Sequence, residues 1–215
     1  MKTMFRLAVP VTLLLTAALQ ACSAPYDPRA ATHENFEFAL QDFLAHRGQL
    51  CLGMFDWPSD LTPSEAAAHS SRAVQYPVFE KLGLVTSTVV AVERSTDNPQ
   101  GVVKRYALTA NGRRYYQVHP YTSRAGVQHA RDICVAQITL DKVVHWQLDP
   151  RDAEHPTALV SYTYQIDPAP WVRHADAQRV LPMVARVIDG AGGRLQLQQQ
   201  FTLGDNGWVA RSAPV

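Results

Sequence analysis

The sequence has little of what usually announces a reaction. It contains no G-x-S-x-G, S-x-x-K or H-E-x-x-H motif and no phosphate-loop glycine pattern. The common hydrolase, zinc-peptidase and nucleotide-binding signatures are therefore missing, and neither a catalytic residue, a metal-ligand set nor a cofactor is assigned. It has little charge imbalance, with a formal net charge of +1. Such a chain carries no global field to gather nucleic acid or anionic lipid, so binding of that kind needs a local patch. There is no internal repeat and no C-x-x-C pair, and after residue 22 no apolar run approaches the roughly 20 residues that cross a bilayer. What remains is an ordinary globular composition, 47% hydrophobic.

The first residues are distinctive. Lys2 and Arg6 precede an apolar run from Leu7 to Leu19, broken only by Pro10, Thr12 and Thr16. At 13 residues it is too short for a membrane span and has the pattern of a secretory signal. Its end, Leu19-Gln20-Ala21-Cys22, resembles the lipobox of bacterial lipoproteins. The resemblance implies cleavage before Cys22 and acylation of that cysteine, with several acyl chains anchoring far more firmly than one. Ser23, in place of the aspartate that commonly retains such proteins in the inner membrane, implies an outer-membrane, periplasm-facing location. The expected division is a signal peptide at 1–21, a tether at 22–32 containing two of the chain's prolines, and 194 mature residues. Losing Lys2 and Arg6 takes the formal charge from +1 to −1.

With Cys22 lipidated, Cys51 and Cys134 are left as an even pair in an oxidising compartment. A disulfide is the natural reading, closing a long loop and stabilising by roughly 4 kcal/mol in the chain-entropy model. Two buried free thiols, or a thiolate nucleophile paired with a histidine, are the alternatives.

Hydrophobic periodicity places a helix after Thr32, with Phe36, Leu40, Phe43 and Leu44 on one face and Gly48 at its end. Leu61-Thr62-Pro63-Ser64-Glu65 predicts a capping box and a helix through AAAHSSRAV, where Pro77 should break it or start a second helix, PVFEKLGLV, that ends near Gly83. Val85–Arg94 and Val102–Leu108 read as strands around an Asp97–Gly101 turn, followed by a turn capped by Thr109. From Phe79 to Tyr116, helix, G-L-V, strand, turn, strand and L-T-x-x-G together resemble the winged-helix half of MarR- and PadR-type regulators. That resemblance implies a recognition helix, a wing hairpin and a further helix after the L-T-x-x-G turn.

Strands are expected at Cys134–Leu140 and Val143–Leu148 with a turn or bulge at Asp141-Lys142, then at ALVSYTYQID and LQLQQQFTL. Trp171–Asp189 reads as helix kinked by Pro182, and Asp205-Asn206-Gly207 as a hairpin turn. The predicted fold class is α+β: a helical, winged-helix-like region at 33–128, then an antiparallel sheet packed against a helix at 129–215.

Few polar groups suggest a site. His129 and Asp132 would meet across one helical turn but lack a third metal ligand. Asp152, Glu154 and His155 read as a charged turn, and the tyrosines and tryptophans as core. Lys104, Arg105, Arg113 and Arg114 form the possible interaction patch, for an acidic envelope protein or anionic lipid, with no nucleic acid expected. The functional expectation is a lipid-anchored, non-enzymatic binding or scaffold module. A periplasmic hydrolase is second, and a winged-helix DNA-binding regulator a distant third.

Overall fold

The Thr32 hydroxyl accepts the Asn35 N–H and starts α1 (His33–Arg47), and Gly48 ends it. The computed structural model describes residues 26–96, 98–149 and 156–211, so Cys22, the signal segment and the 150–155 turn lie outside the described residues. Phe36, Leu40 and Leu44 are buried, the stripe that the periodicity predicts. Part of the expected tether is fastened to the fold. The buried Asn35 amide donates to the carbonyls of Asp27 and Ala30, both at 2.8 Å, and the Trp208 indole N–H reaches Ala30 O at 3.2 Å.

Next come β1 (Gln49–Cys51), β2 (Ser59–Leu61), α2 (Pro63–Ala67) and α3 (Ser71–Lys81). The capping box forms: Thr62 Oγ1 accepts the Glu65 N–H at 3.2 Å, and Glu65 Oε2 accepts the Thr62 N–H at 3.0 Å. The helix it starts is shorter than expected. His69 takes a left-handed φ of 50°, and Ser70 caps a new helix through Ala73 N. Pro77 then sits inside α3 rather than ending it. Buried Tyr76 and Phe79 on either side of the proline hold the helix onto the core, so packing overrides the lost hydrogen bond.

β3 (Val85–Ala91) and β4 (Val102–Leu108) pair as a hairpin, and β2 adds to β4, giving a three-stranded sheet in the order β2-β4-β3. The L-T-x-x-G turn has a clear physical basis. Thr109 Oγ1 donates to Gly83 O at 2.7 Å and accepts the Gly112 N–H at 3.0 Å. A side chain at Gly112 would place its Cβ 1.9 Å from the Leu84 carbonyl oxygen. The helix expected beyond this turn is replaced: α4 (Ala110–Arg113) is four residues long, and the chain enters β5 (Tyr116–Thr122) directly.

β6 (Gln128–Asp149) is one strand of 22 residues where two were expected. Register shifts at Leu140/Lys142 and Val143/His145 mark bulges near the anticipated Asp141-Lys142 irregularity. His129 and Asp132 thus lie on a strand, so their spacing does not set them one helical turn apart. β7 (Thr157–Pro168) pairs with β6, and a short 3-10 turn at Pro170–Arg173, α5 (Ala175–Val180) and α6 (Pro182–Gly190) follow. β8 (Leu197–Gly204) and β9 (Gly207–Ala210) complete the sheet order β1-β6-β7-β8-β9, while β5 pairs with the start of β6.

The result is a mixed α+β fold with two apolar clusters. One lies between α1 and the large sheet, around Phe36, Tyr164, Phe201 and Trp208. The other joins α3, the small sheet and α6 to Ile133 and Val135 of β6. The expected division at 128/129 falls at the first residues of β6, inside the β5–β6 hairpin, and α1 packs on the sheet of the C-terminal region. No helix of the described residues is long and apolar enough to cross a membrane.

Because Gly112 abuts backbone rather than a movable side chain, Gly112→Ala is expected to lower the unfolding free energy by about 1–3 kcal/mol. Urea denaturation checks this; an unchanged midpoint would mean that the Thr109 turn has room to shift.

Candidate functional site

β1 runs antiparallel to β6 and places Cys51 directly opposite Cys134. The two form a disulfide with a Cα–Cα distance of 3.9 Å across 83 residues of sequence. Backbone hydrogen bonds bracket the bridge: Leu52 N to Ile133 O at 3.0 Å, and Ile138 N to Gly48 O at 2.8 Å. β5 contributes a third group. A ring nitrogen of His119 and both sulfurs lie within 4.8 Å of one another. Gln49 Nε2 donates to Gln117 Oε1 at 3.0 Å, which turns the Gln49 amide oxygen toward His119 Nδ1, 3.2 Å away. Gln49 borders two clefts. One, of about 360 Å³, is lined also by Cys134, Gln117 and Asp167; the other, of about 140 Å³, by His46 and His119.

The segment after the bridge is built around Asp132. This buried carboxylate accepts the N–H groups of Gly53 at 2.9 Å, Met54 at 2.7 Å and its neighbour Ile133 at 2.7 Å. A carboxylate so placed fixes the loop, since three backbone donors would otherwise lose a partner. Beyond it Phe55 stacks on His129 with centroids 4.3 Å apart and on Tyr121 at 5.0 Å, and Tyr116 donates its hydroxyl to Phe55 O. His129 Nδ1 also lies 3.3 Å from Asp56. Between this loop and α3 runs a cleft of about 470 Å³, with Arg72, Gln75, Asp56 and Ser59 among its polar lining. His129 and Asp132 therefore serve the same loop through different contacts.

The cations expected to form one patch are distributed differently. Adjacent strand residues point to opposite faces. Arg105 makes two hydrogen bonds to Asp60 of β2, at 2.6 and 2.7 Å. Lys104 reaches Glu80 of α3 at 3.3 Å and lies over the Tyr106 ring, 5.0 Å from its centroid. Arg113 donates to the Leu108 carbonyl at 2.9 Å, and Arg113 and Arg114 are both exposed residues at the end of α4. The hydrogen bond from Arg105 holds the Asp60 carboxyl below its usual range. For Glu80 the Ser87 hydroxyl has the largest effect, ahead of Lys104, and lowers its pKa too.

No protein-family model matches the chain, and comparison with curated proteins and solved structures finds no match either. The site is therefore read from its own geometry. Sequence spacing identifies Cys51 and Cys134 but misses His119, Gln49 and the role of Asp132. Tyr116–Thr122 carries a proline and weak alternation, and only its pairing with β6 brings His119 to the sulfurs.

Two outcomes follow from this geometry. Asp132→Ala is expected to cost about 3 kcal/mol or more, because hydrogen bonds to a charged group contribute roughly 1.5–3 kcal/mol each; Asp132→Asn, which keeps an acceptor, should cost less in the same urea titration. Asp60 has a folded pKa lowered from 3.8, so its contribution is complete above that value and is lost as pH falls through the depressed folded one. Asp60→Asn should accordingly flatten the acid side of a plot of urea midpoint against pH. Its side chain is 35% exposed, so the effect is small.

Proposed function

We propose that this chain is a lipid-anchored outer-membrane lipoprotein, facing the periplasm, that acts as a non-enzymatic binding or scaffold module for an envelope partner. The observation that carries this reading is Leu19-Gln20-Ala21-Cys22 at the end of a short apolar run with a basic flank. The Cys51–Cys134 disulfide suits an oxidising compartment. Fastening of residues 27–32 by Asn35 and Trp208 leaves residues 23–26 between the acylated position and the fold. Five residue steps reach at most about 18 Å, so the folded part works close to the membrane surface.

Within that reading, the segment from β2 to α4 is a winged-helix-like unit used as a scaffold. Its support is the β2-β4-β3 order with α2 and α3 inserted between β2 and β3. Lys104 and Arg105, which in a DNA-binding wing would meet phosphates, are engaged by Glu80 and Asp60. Such pairing favours a protein contact over nucleic acid. Arg113 and Arg114, both exposed at the end of α4, are the first candidates to meet an acidic partner.

Metabolic labelling with an alkyne palmitate, followed by crosslinking in intact cells, tests both parts. The full chain is expected to take up label and fractionate with membranes, and Cys22→Ser to lose both. The double change Arg113→Glu, Arg114→Glu should keep the label and lose a crosslinked envelope protein. An unlabelled chain in the cytosol with its leader intact would sink the anchor, and a chain whose His119 or His129 substitution abolishes a hydrolytic activity without loss of stability would favour the enzyme.

A further inference from the structure

We propose that Cys51, Cys134 and His119 form a zinc-binding site that becomes available when the disulfide is reduced. This goes beyond the anchor and partner reading and does not depend on it. Three donors of the types that bind Zn2+ converge within 4.8 Å of one another, drawn from three strands far apart in sequence. Two thiolates and an imidazole suit a thiophilic ion such as Zn2+ rather than Mg2+ or Ca2+. Zn–S bonds of about 2.3 Å put two tetrahedral thiolates about 3.8 Å apart. Residues facing each other with Cα atoms 3.9 Å apart can meet that separation by side-chain rotation alone.

Reduction need not scatter the donors, because the bridge is not what holds β1 against β6. The Leu52–Ile133 and Gly48–Ile138 backbone bonds flank it, and Asp132 grips Gly53 and Met54 immediately beyond. The histidine is oriented as well. With Gln49 Nε2 committed to Gln117, the Gln49 carbonyl oxygen receives the proton on His119 Nδ1, which leaves the lone pair on Nε2. Second partners of this kind set the tautomer of metal-bound histidines. The fourth tetrahedral position is left to water or to a donor entering from the 360 Å³ cleft that Cys134 and Gln49 line.

The chemistry balances with a dithiol reductant. One of its thiolates attacks a sulfur of the bridge, and its second thiol resolves the mixed disulfide. The products are the Cys51 and Cys134 thiols and the cyclic disulfide of the reductant, two electrons and two protons having passed to the protein. Zn2+ then replaces the two thiol protons, forming two Zn–S bonds and one Zn–N bond to neutral His119, with two protons released. Bridge and metal exclude each other, and both close the same chain loop.

The test uses the full chain in detergent, reduced anaerobically and titrated with Co2+ as the spectroscopic stand-in for Zn2+. One Co2+ per chain is expected to produce a near-ultraviolet thiolate charge-transfer band and visible absorption of tetrahedral intensity, both erased by Zn2+. The oxidised chain and Cys51→Ser should show neither. His119→Ala, which leaves the disulfide intact in the oxidised protein, should weaken binding at least about tenfold and alter the visible bands. Circular dichroism of the reduced, metal-free chain is measured alongside. Absence of the charge-transfer band, a His119→Ala chain with unchanged affinity and spectrum, or a reduced chain that has lost its fold would each overturn the proposal.

Discussion

The segment from Gly48 to Met54 is fastened to β6 at three successive points, and both layers of the protein depend on that seam. Gly48 lies so close to Ile138 that a Cβ would stand 2.5 Å from its carbonyl oxygen. Cys51 is bonded to Cys134, and Asp132 holds the N–H groups of Gly53 and Met54. On one side of the seam α1 covers the large sheet; on the other the loop leads to the small sheet and α3. Besides the seam, the two apolar clusters are joined by β6, by α6, which gives Val184 and Ile188 to one and Val187 to the other, and by the partly buried Ile166, which packs against both.

The same seam holds the buried Asp132 carboxylate and, beside the bridge, His119. A buried carboxylate satisfied by three backbone donors is a rigid support, and the aromatic stack of Phe55, Tyr121 and His129 rests on the loop that it shapes. His119 stands beside the bridge because β5 and β1 both pair with β6. By contrast, the basic hairpin that stands out in the sequence is largely reconciled within the fold. Its two central cations are paired with Asp60 and Glu80, on opposite faces of β4.

Local signals were legible where a few neighbouring residues suffice to satisfy the backbone. Thr32, the Thr62–Glu65 capping box, the Thr109 turn and the Asp205-Asn206-Gly207 hairpin all appear where the residue pattern places them. Legibility failed where packing decides. Pro77 is carried within α3 by Tyr76 and Phe79, and β6 runs unbroken through Asp141-Lys142 because β7 pairs along both sides of the bulge. The charged spacing of His129 and Asp132 suggested a helix turn, yet pairing with β5 draws that stretch into the sheet.

The order of apolar and polar residues by itself determined the α+β character, the helix caps and the pairing of two cysteines, since these depend on contacts within a few residues or on counting. Only the tertiary structure decided that His119 stands at the bridge, that Asp132 is buried beneath the 53–54 loop, and that Lys104 and Arg105 are spent on different carboxylates. Each of these is a meeting of strands or helices remote in sequence, set by register across β6 and β4, and register is a property of the whole sheet rather than of any stretch within it.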